Sequence, residues 1–304
     1  MVFLLLSAVP TALFALADWK WLAIPWLPVA MVGTAVAFIT GFKNSASYSR
    51  LWEARQIWGG IVNSSRTWGM LVTDIFGEDT VACNRLYHRH FAWITALRYQ
   101  LREGRTWEHM QRAHNAEYQR FYKVAEWDGR LEQELASLLS AKDLEYVMAR
   151  KNRATHLLDL QMRDIHNFSF SEFRLSELQH VLQALTESQG KCERIKNFPY
   201  PRQYATLNHF FVWMFIILTP LGMLQEFRNL GDGYIWLTIP ASTMVAWVFH
   251  TMDKIGDSSE NPFEGSPNDV PITAMSRSIE IDLREMLGET EIPAALQPVN
   301  NILM

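Results

Sequence analysis

Four apolar segments stand out along the chain, at residues 2–17, 26–42, 207–224 and 234–249. Each is about 16 to 18 residues long, or roughly 25 Å as a helix, which is close to the minimum for crossing the hydrocarbon core. They form two pairs, each joined by a short link, and this arrangement favours membrane spans over buried helices of a soluble protein. Aromatic residues of the kind found at membrane interfaces stand at their ends: Trp19, Trp21, Trp26, Tyr234 and Trp236. The pattern predicts an all-α integral membrane protein with four transmembrane helices.

The first apolar segment begins without the basic residues that open a secretory signal peptide, so it is interpreted as a membrane helix. Its shortness favours a native N-terminus that lies before Met1.

The rest of the chain is far more polar, and its periodicity is helical. Apolar residues recur at intervals of three to four over 50–68, 131–146 and 174–194. No convincing alternation of strand residues occurs, and two prolines at 198–201 break the helical pattern before the third span. The tail after Gly256 is rich in proline, glycine and aspartate, with one short helix expected at 274–287. The sequence thus predicts a large helical body at about 43–206 and a C-terminal segment at 256–304, within one domain spanning 1–304.

The distribution of basic residues predicts the orientation. The links between paired spans carry one basic residue each, whereas several basic residues adjoin the central body at Lys43, Arg50, Arg55, Arg194, Lys196 and Arg202. Basic residues next to membrane ends remain on the cytosolic side. The central body and both termini are therefore expected in the cytosol, with the spans in the cell's inner (plasma) membrane. Asp253 and Lys254, just after the fourth span, are interpreted as an anchor at the membrane interface.

Composition agrees with a chain that lies partly in lipid and partly in water. Hydrophobic residues make up 49% of the sequence, yet the mean hydropathy is only -0.07. The net charge of -4 provides no basic field for nucleic acid. Cys83 and Cys192 stand far apart and are expected to be reduced cytosolic thiols.

The second span continues beyond the membrane without a strong helix breaker, so 28–68 is predicted to form one helix of about 40 residues. Thr34, Phe38 and Phe42 follow one another at intervals of four and therefore share one helical face. A ring of such helices would surround an axis with phenylalanine, forming a hydrophobic constriction that gates ions by losing water. Spacing alone leaves open two other roles for these side chains, which are contact with lipid and packing between helices.

Small residues accompany that face. Gly33, Ala37 and Gly41 permit neighbouring helices to approach closely. They are therefore the predicted positions of close helix packing.

Three runs carry a resemblance to a known family. They are GFKNSASYSRLWEARQIWGGIVNSSR at 41–66, CERIKNFPYP at 192–201 and DSSENPFEGSPNDVP at 257–271. The runs resemble segments of bacterial bestrophin-like ion channels and occur in the same order. The resemblance extends over essentially the whole chain, although about 75–166 matches only in its helical character.

The resemblance implies a homopentamer in membrane lipid, with five subunits around one axial pore that passes small inorganic ions. It places Thr34, Phe38 and Phe42 in the pore neck, where the family often has an aliphatic residue at the position of Thr34. A second, cytosolic constriction is also implied, but 166–178 does not align well enough to locate it. Family analogy makes anions such as chloride the default ions. A neck without charge leaves cation conduction open, and a non-conducting membrane scaffold or sensor is the further alternative.

The acidic loop at 260–269 matches a loop that binds calcium in animal bestrophins. Here few carboxylates are present, and calcium needs six to eight oxygen ligands with several carboxylates among them. The sequence predicts a capped surface loop that packs Phe263 into a neighbour.

No metal, cofactor or enzymatic activity is expected. The histidine pairs His88/His90 and His109/His114 lack the spacing of four that zinc helices use. The apolar spans contain almost no titratable groups that could converge into an active site. Ion pairs between subunits are the expected role of three charged residues on the long helix, Glu53, Arg55 and Arg66.

Overall fold

The computed structural model describes residues 1–110, 113–168 and 171–304, without the side chains of Ala113, His114, Ala116 and Arg202. The histidine spacing that involves His114, and the side chain of Arg202, therefore lie outside the described residues. Within those ranges the secondary structure is helical, and the sole β interaction is an isolated bridge between Val299 and Ile302.

The α-helices are numbered in chain order. They are α1 Val2–Leu16, α2 Trp26–Phe76, α3 Thr80–Arg102, α4 Ala113–Tyr118, α5 Leu131–Ala136, α6 Ala141–Met148, α7 Arg153–His166, α8 Glu172–Asn197, α9 Arg202–Asn229, α10 Thr238–Ser259 and α11 Ile272–Met286. Short 3-10 turns lie at Lys20–Leu22, Ala125–Asp128 and Asp232–Leu237.

The chain divides into two compact units. The first contains Met1–Ser49 and Tyr200–Glu260, and the second contains Arg50–Pro199 and Asn261–Met304. Three helical stretches of the described chain are long and apolar enough to cross a membrane: Lys20–Phe76, Gln203–Asn229 and Asp232–Ser259. The helix Val2–Leu16 is also apolar but shorter.

The first unit is a helical bundle in which α1 packs against α9 and α10, and α9 packs against α10. Its apolar core is formed by Val29, Val36, Val212, Phe215, Ile216 and Ala246. Pro28 stands in the first turn of α2, where the missing N–H costs little, and no proline follows it up to Phe76. The predicted long helix at 28–68 is thus confirmed, and it continues for two further turns.

The second unit is built around α3, which packs against α5, α7, α8 and α11. Buried residues occur on every side of α3 between Arg89 and Leu97, although this helix is not apolar on average. Several of its polar groups have internal partners: Trp93 Nε1 donates to Gln189 Oε1 at 2.9 Å, and Arg89 Nη2 lies 2.8 Å from Asp143. These contacts allow a polar sequence to occupy the core.

Two sequence expectations about helices have different outcomes in this unit. The helix expected at 131–146 is interrupted, because Ser140 accepts a hydrogen bond from Asp143 N at 3.2 Å and starts α6 as its N-cap. The short helix expected at 274–287 is confirmed as α11.

Candidate functional site

The part of α2 in the first unit has one buried and one exposed face. Val29, Gly33, Val36, Thr40, Lys43 and Ser47 recur at intervals of three and four and are all buried. About half a turn away, Thr34, Phe38 and Phe42 are exposed, with 66% of Phe38 and 61% of Phe42 accessible. Two large aromatic side chains are therefore uncovered on the side of α2 that its own unit does not use.

The two phenylalanine rings contact one another on this exposed face. Their centroids lie 4.5 Å apart at an interplanar angle of 87°, an edge-to-face arrangement. One turn earlier, Thr34 Oγ1 donates a hydrogen bond to Ala30 O at 3.0 Å, so its hydroxyl is satisfied within the helix. One and two turns after Phe42, Ser45 and Ser49 continue the exposed face with polar groups. The face therefore changes from apolar to polar along the helix.

The three small residues have different environments. Gly33 is buried, and a Cβ at this position would lie 2.5 Å from Phe215 Cε2 on α9. Its close packing is therefore within one chain. Ala37 and Gly41 are exposed, and a Cβ at Gly41 would meet nothing within 4 Å.

A buried polar cluster supports α2 behind Phe42. Lys43 Nζ lies 3.0 Å from Asp253 Oδ1 and 2.6 Å from Asp257 Oδ1, and its side chain is 2% exposed. Thr40 Oγ1 donates to Asn208 Oδ1 at 2.9 Å, and Asn208 Nδ2 donates to Asp253 Oδ1 at 2.7 Å. The cluster thus joins α2, α9 and α10.

This cluster corrects the interpretation of Asp253 as an anchor at the membrane interface. Asp253 is 1% exposed and is a buried partner of Lys43. Only Lys254 of the predicted pair is partly exposed, and it lies 3.6 Å from Asp257. Two signals in the sequence could have indicated the cluster: the lysine directly after an apolar segment, and the spacing of four between the two aspartates, which places them on one helical face.

The acidic loop of the second unit is buried, so the prediction of a surface loop is wrong. Residues 261–266 are all buried, and Phe263 belongs to the core of its own chain at 1% exposure. Gly265 adopts a φ of 98°, and a Cβ there would lie 2.6 Å from Trp127 Cζ2, so glycine meets both the conformational and the steric requirement. Some of its polar groups have internal partners, since Asn261 Nδ2 donates to Glu264 Oε2 at 3.3 Å, whereas Glu264 Oε1 and Ser266 Oγ are buried without a hydrogen bond to the described residues.

Two carboxylates lie within this enclosed loop. Asp269 Oδ2 is 3.1 Å from Arg102 Nη1 and accepts a hydrogen bond from Gly265 N at 2.7 Å. Glu264 Oε2 accepts a hydrogen bond from His109 N at 2.8 Å. Burial, reinforced by the nearby charge of Asp269, raises the pKa of Glu264 to about 8. Burial also raises the pKa of Asp269 to about 6, against the opposing effect of Arg102. Burial thus favours the protonated form of Glu264, whereas Asp269 has Arg102 as a countercharge.

Other charged residues singled out from the sequence have partners within the chain. Arg194 donates a hydrogen bond to Glu53, and Arg66 Nη2 lies 2.7 Å from Asp282 Oδ2. The expected ion pairs between subunits are therefore corrected to pairs within one chain for Glu53 and Arg66, because α8 and α11 supply the countercharges.

His90 of α3 is fully buried in the second unit. His90 lies 2.9 Å from the Ser65 hydroxyl, and burial lowers its pKa to about 3. It is therefore a neutral core residue at physiological pH.

Comparisons with known proteins agree with the resemblance of the three sequence runs. A family model described as Bacterial/Fungal Bestrophin protein matches residues 1–285. The Voltage-dependent anion channel-forming protein YneE of Escherichia coli K12 is 28% identical over 283 residues, which are 89% of this chain and 80% of the relative. The Voltage-dependent anion channel-forming protein RSc3414 of Ralstonia nicotianae is 28% identical over 274 residues, covering 87% and 78%.

The fold is also found among solved structures. A bacterial Bestrophin homolog from Klebsiella pneumoniae superimposes with a TM-score of 0.81 at 23% sequence identity, over 95% of this chain and 97% of that chain. This match shows a shared fold along nearly the whole length of both chains.

Proposed function

The chain belongs to the bacterial and fungal bestrophin family, and from this premise we propose that it forms an oligomeric ion channel in the cell membrane. The observation that carries the proposal is the uncovered aromatic face of α2. Phe38 and Phe42 are largely exposed on the side opposite the one that packs within the chain. In a membrane such side chains contact either lipid or other copies of the chain, and several copies packed around an axis would bring them together and enclose a path for ions.

We propose that α1, the first part of α2, α9 and α10 cross the membrane. Three of these lie in stretches of sufficient length and hydropathy, and α1 is an apolar helix of 15 residues. The concentration of lysine and arginine next to the central body supports a cytosolic position for that body and for both termini. The spans themselves are proposed to lie in the plasma membrane.

The proposed pore is the axis of a homopentamer, and its neck is lined by Thr34, Phe38 and Phe42. A narrow bore of phenylalanine does not compensate an ion for its lost hydration, so it blocks conduction when it is dry. The number five rests on the family resemblance. The exposed positions of Ala37 and Gly41 support close contact between copies.

Anions such as chloride are the proposed ions, because the curated relatives are named as anion channel-forming proteins. These relatives are named for channel formation, consistent with a protein that is not an enzyme. The proposed neck residues carry no charge, so selectivity between anions and cations is not determined at these three positions. Conduction of cations is therefore the alternative that an experiment must test.

Reconstitution of the purified protein tests the proposal. We expect a mass of five subunits in nanodiscs, and currents in a planar bilayer whose reversal potential in a potassium chloride gradient lies towards the chloride equilibrium potential. A reversal potential towards that of potassium would support the cation alternative. A monomer would refute the pore, and an oligomer that never conducts would support a membrane scaffold.

A further inference from the structure

We propose that the buried cluster around Asp253 positions Phe42 in the pore, so that residues outside the ion path determine how far the neck is open. This inference rests on the proposed channel function. It concerns the face of α2 opposite the exposed phenylalanines, where Lys43 directly follows Phe42 in the sequence.

Asp253 is the junction of three helices. Its Oδ1 lies 3.0 Å from Lys43 Nζ of α2 and accepts a hydrogen bond from Asn208 Nδ2 of α9 at 2.7 Å. Its Oδ2 lies 3.1 Å from His209 Nδ1, also on α9. Asp253 itself belongs to α10. One carboxylate therefore fixes α2 relative to the two other long helices of the first unit.

The cluster constrains α2 at several successive positions of one face. Thr40 donates to Asn208 at 2.9 Å, Lys43 reaches Asp253, and Asn44 Nδ2 donates to Met252 O at 3.1 Å. Gly256 allows this approach, because a Cβ there would collide with Asn44 Oδ1. Contacts along this face resist both sliding and rotation of α2.

Because these charged groups are buried, they favour the one arrangement of the helices in which they are paired. The Lys43 side chain is 2% exposed and that of Asp253 is 1% exposed. Separating them inside the bundle would leave a charge without its partner, which is strongly unfavourable. Neighbouring residues of a helix are related by a rotation of about 100° and a rise of about 1.5 Å, so any shift of Lys43 moves Phe42 with it. The cluster therefore stabilises one position of the Phe42 ring.

The test compares single-channel recordings of wild type, Lys43→Met, Phe42→Ala and the double variant. Methionine keeps the length of the lysine side chain but removes its charge. We expect Lys43→Met to raise the mean current per channel by about two- to thirtyfold, the range of coupling seen when a residue acts through a neighbouring element. In the Phe42→Ala background the same substitution should change the current by less than about twofold, because the ring that the cluster positions is absent.

A matched control removes a lysine outside the cluster. Lys20 lies in the turn before α2 with 60% of its side chain exposed, and Lys20→Met should leave the current per channel unchanged. If Lys43→Met reduces the yield of oligomer, Thr40→Val provides a milder variant of nearly equal shape that removes only the hydrogen bond to Asn208. It should alter the current in the same direction as Lys43→Met.

The outcomes separate this inference from the proposed function. Equal effects of Lys43→Met in the presence and absence of Phe42 would overturn the inference, since the cluster would then act independently of the ring. The same conclusion follows if Phe42→Ala changes the current but Lys43→Met and Thr40→Val do not. If no variant conducts, or if Phe42→Ala behaves like wild type, the proposed neck fails, and the positioning role fails with it.

Discussion

Truncation of the exposed phenylalanines should raise the current while leaving each subunit intact. Phe42→Ala and Phe38→Ala each remove a ring that is more than half exposed within the chain. The structure therefore predicts a small loss of stability within the subunit. That loss is limited mainly to the edge-to-face contact between the two rings, which is worth about 0.5–1.5 kcal/mol.

A buried phenylalanine of the same unit provides the matched control. Phe215 of α9 is 4% exposed and packs in the apolar core against Gly33. Phe215→Ala should cost about 3–5 kcal/mol, the usual price of an aromatic cavity in a core. The same chemical change thus has a several-fold different effect on stability at the two positions, because only one of them is packed within the chain.

The assay combines single-channel recording with thermal unfolding of the purified oligomer. A reduction of the barrier at the neck by about 0.7–1.4 kcal/mol would raise the current about three- to tenfold. We expect such an increase for Phe38→Ala and Phe42→Ala with a nearly unchanged unfolding temperature. Thr34→Ala should have a smaller effect, because threonine is already small and partly polar. Phe215→Ala should lower the unfolding temperature or the yield without raising the current per channel.

Two results would refute this reasoning. Unchanged conductance and open probability for both exposed phenylalanine variants would mean that these residues do not line the gate. A large loss of stability for Phe42→Ala, comparable to that for Phe215→Ala, would mean that the Phe42 ring is packed and does not face an open bore.

Four further tests concern the buried loop and the glycines. Glu264 has a pKa raised to about 8, above its ordinary value, so its contribution to stability is fully present below about pH 4.5 and is lost as the pH rises through about 8. Glu264→Gln should therefore have the same unfolding free energy as wild type at pH 5 and a higher one at pH 9, by on the order of a few kcal/mol. Equal pH profiles of the two proteins in thermal unfolding would contradict the raised pKa of Glu264. Calcium, titrated from chelated to millimolar levels on reconstituted channels, should change the current little, since Glu264 already accepts a hydrogen bond from His109 N and Asp269 pairs with Arg102. Steep micromolar activation would contradict this. Gly33→Ala should destabilise the chain by about 1–3 kcal/mol through collision with Phe215. A Cβ at Gly41 meets nothing within 4 Å in its own chain, so Gly41→Ala should leave the subunit stable. A loss of oligomer in this variant would place Gly41 at a contact between copies. An intact oligomer would show that Gly41 is not at such a contact.

The sequence alone predicted the helical class, the long α2 and α11, because these depend on local periodicity and on where proline interrupts it. It also predicted that Thr34, Phe38 and Phe42 share one face, since a spacing of four residues places side chains on one side of any helix. Their role in lining a pore stays a proposal, because it depends on other copies of the chain. The break between α5 and α6 was missed, since Ser140 competes for the backbone as an N-cap and leaves the apolar periodicity unchanged.

Only the tertiary structure decided which charged residues are partners. Lys43 and Asp253 are 210 positions apart, and although the spacing of Asp253 and Asp257 places them on one helical face, the pattern around Lys43 does not identify them as its partners. The acidic loop is a similar case. Its composition is typical of a surface loop, but its carboxylates are buried, where Asp269 pairs with Arg102 and Glu264 accepts a hydrogen bond from His109 N. Periodicity is a property of neighbouring residues along the chain. The environment of a charged group instead depends on which distant helices pack against it, and in this protein that packing buries the charges behind the face proposed to line the pore.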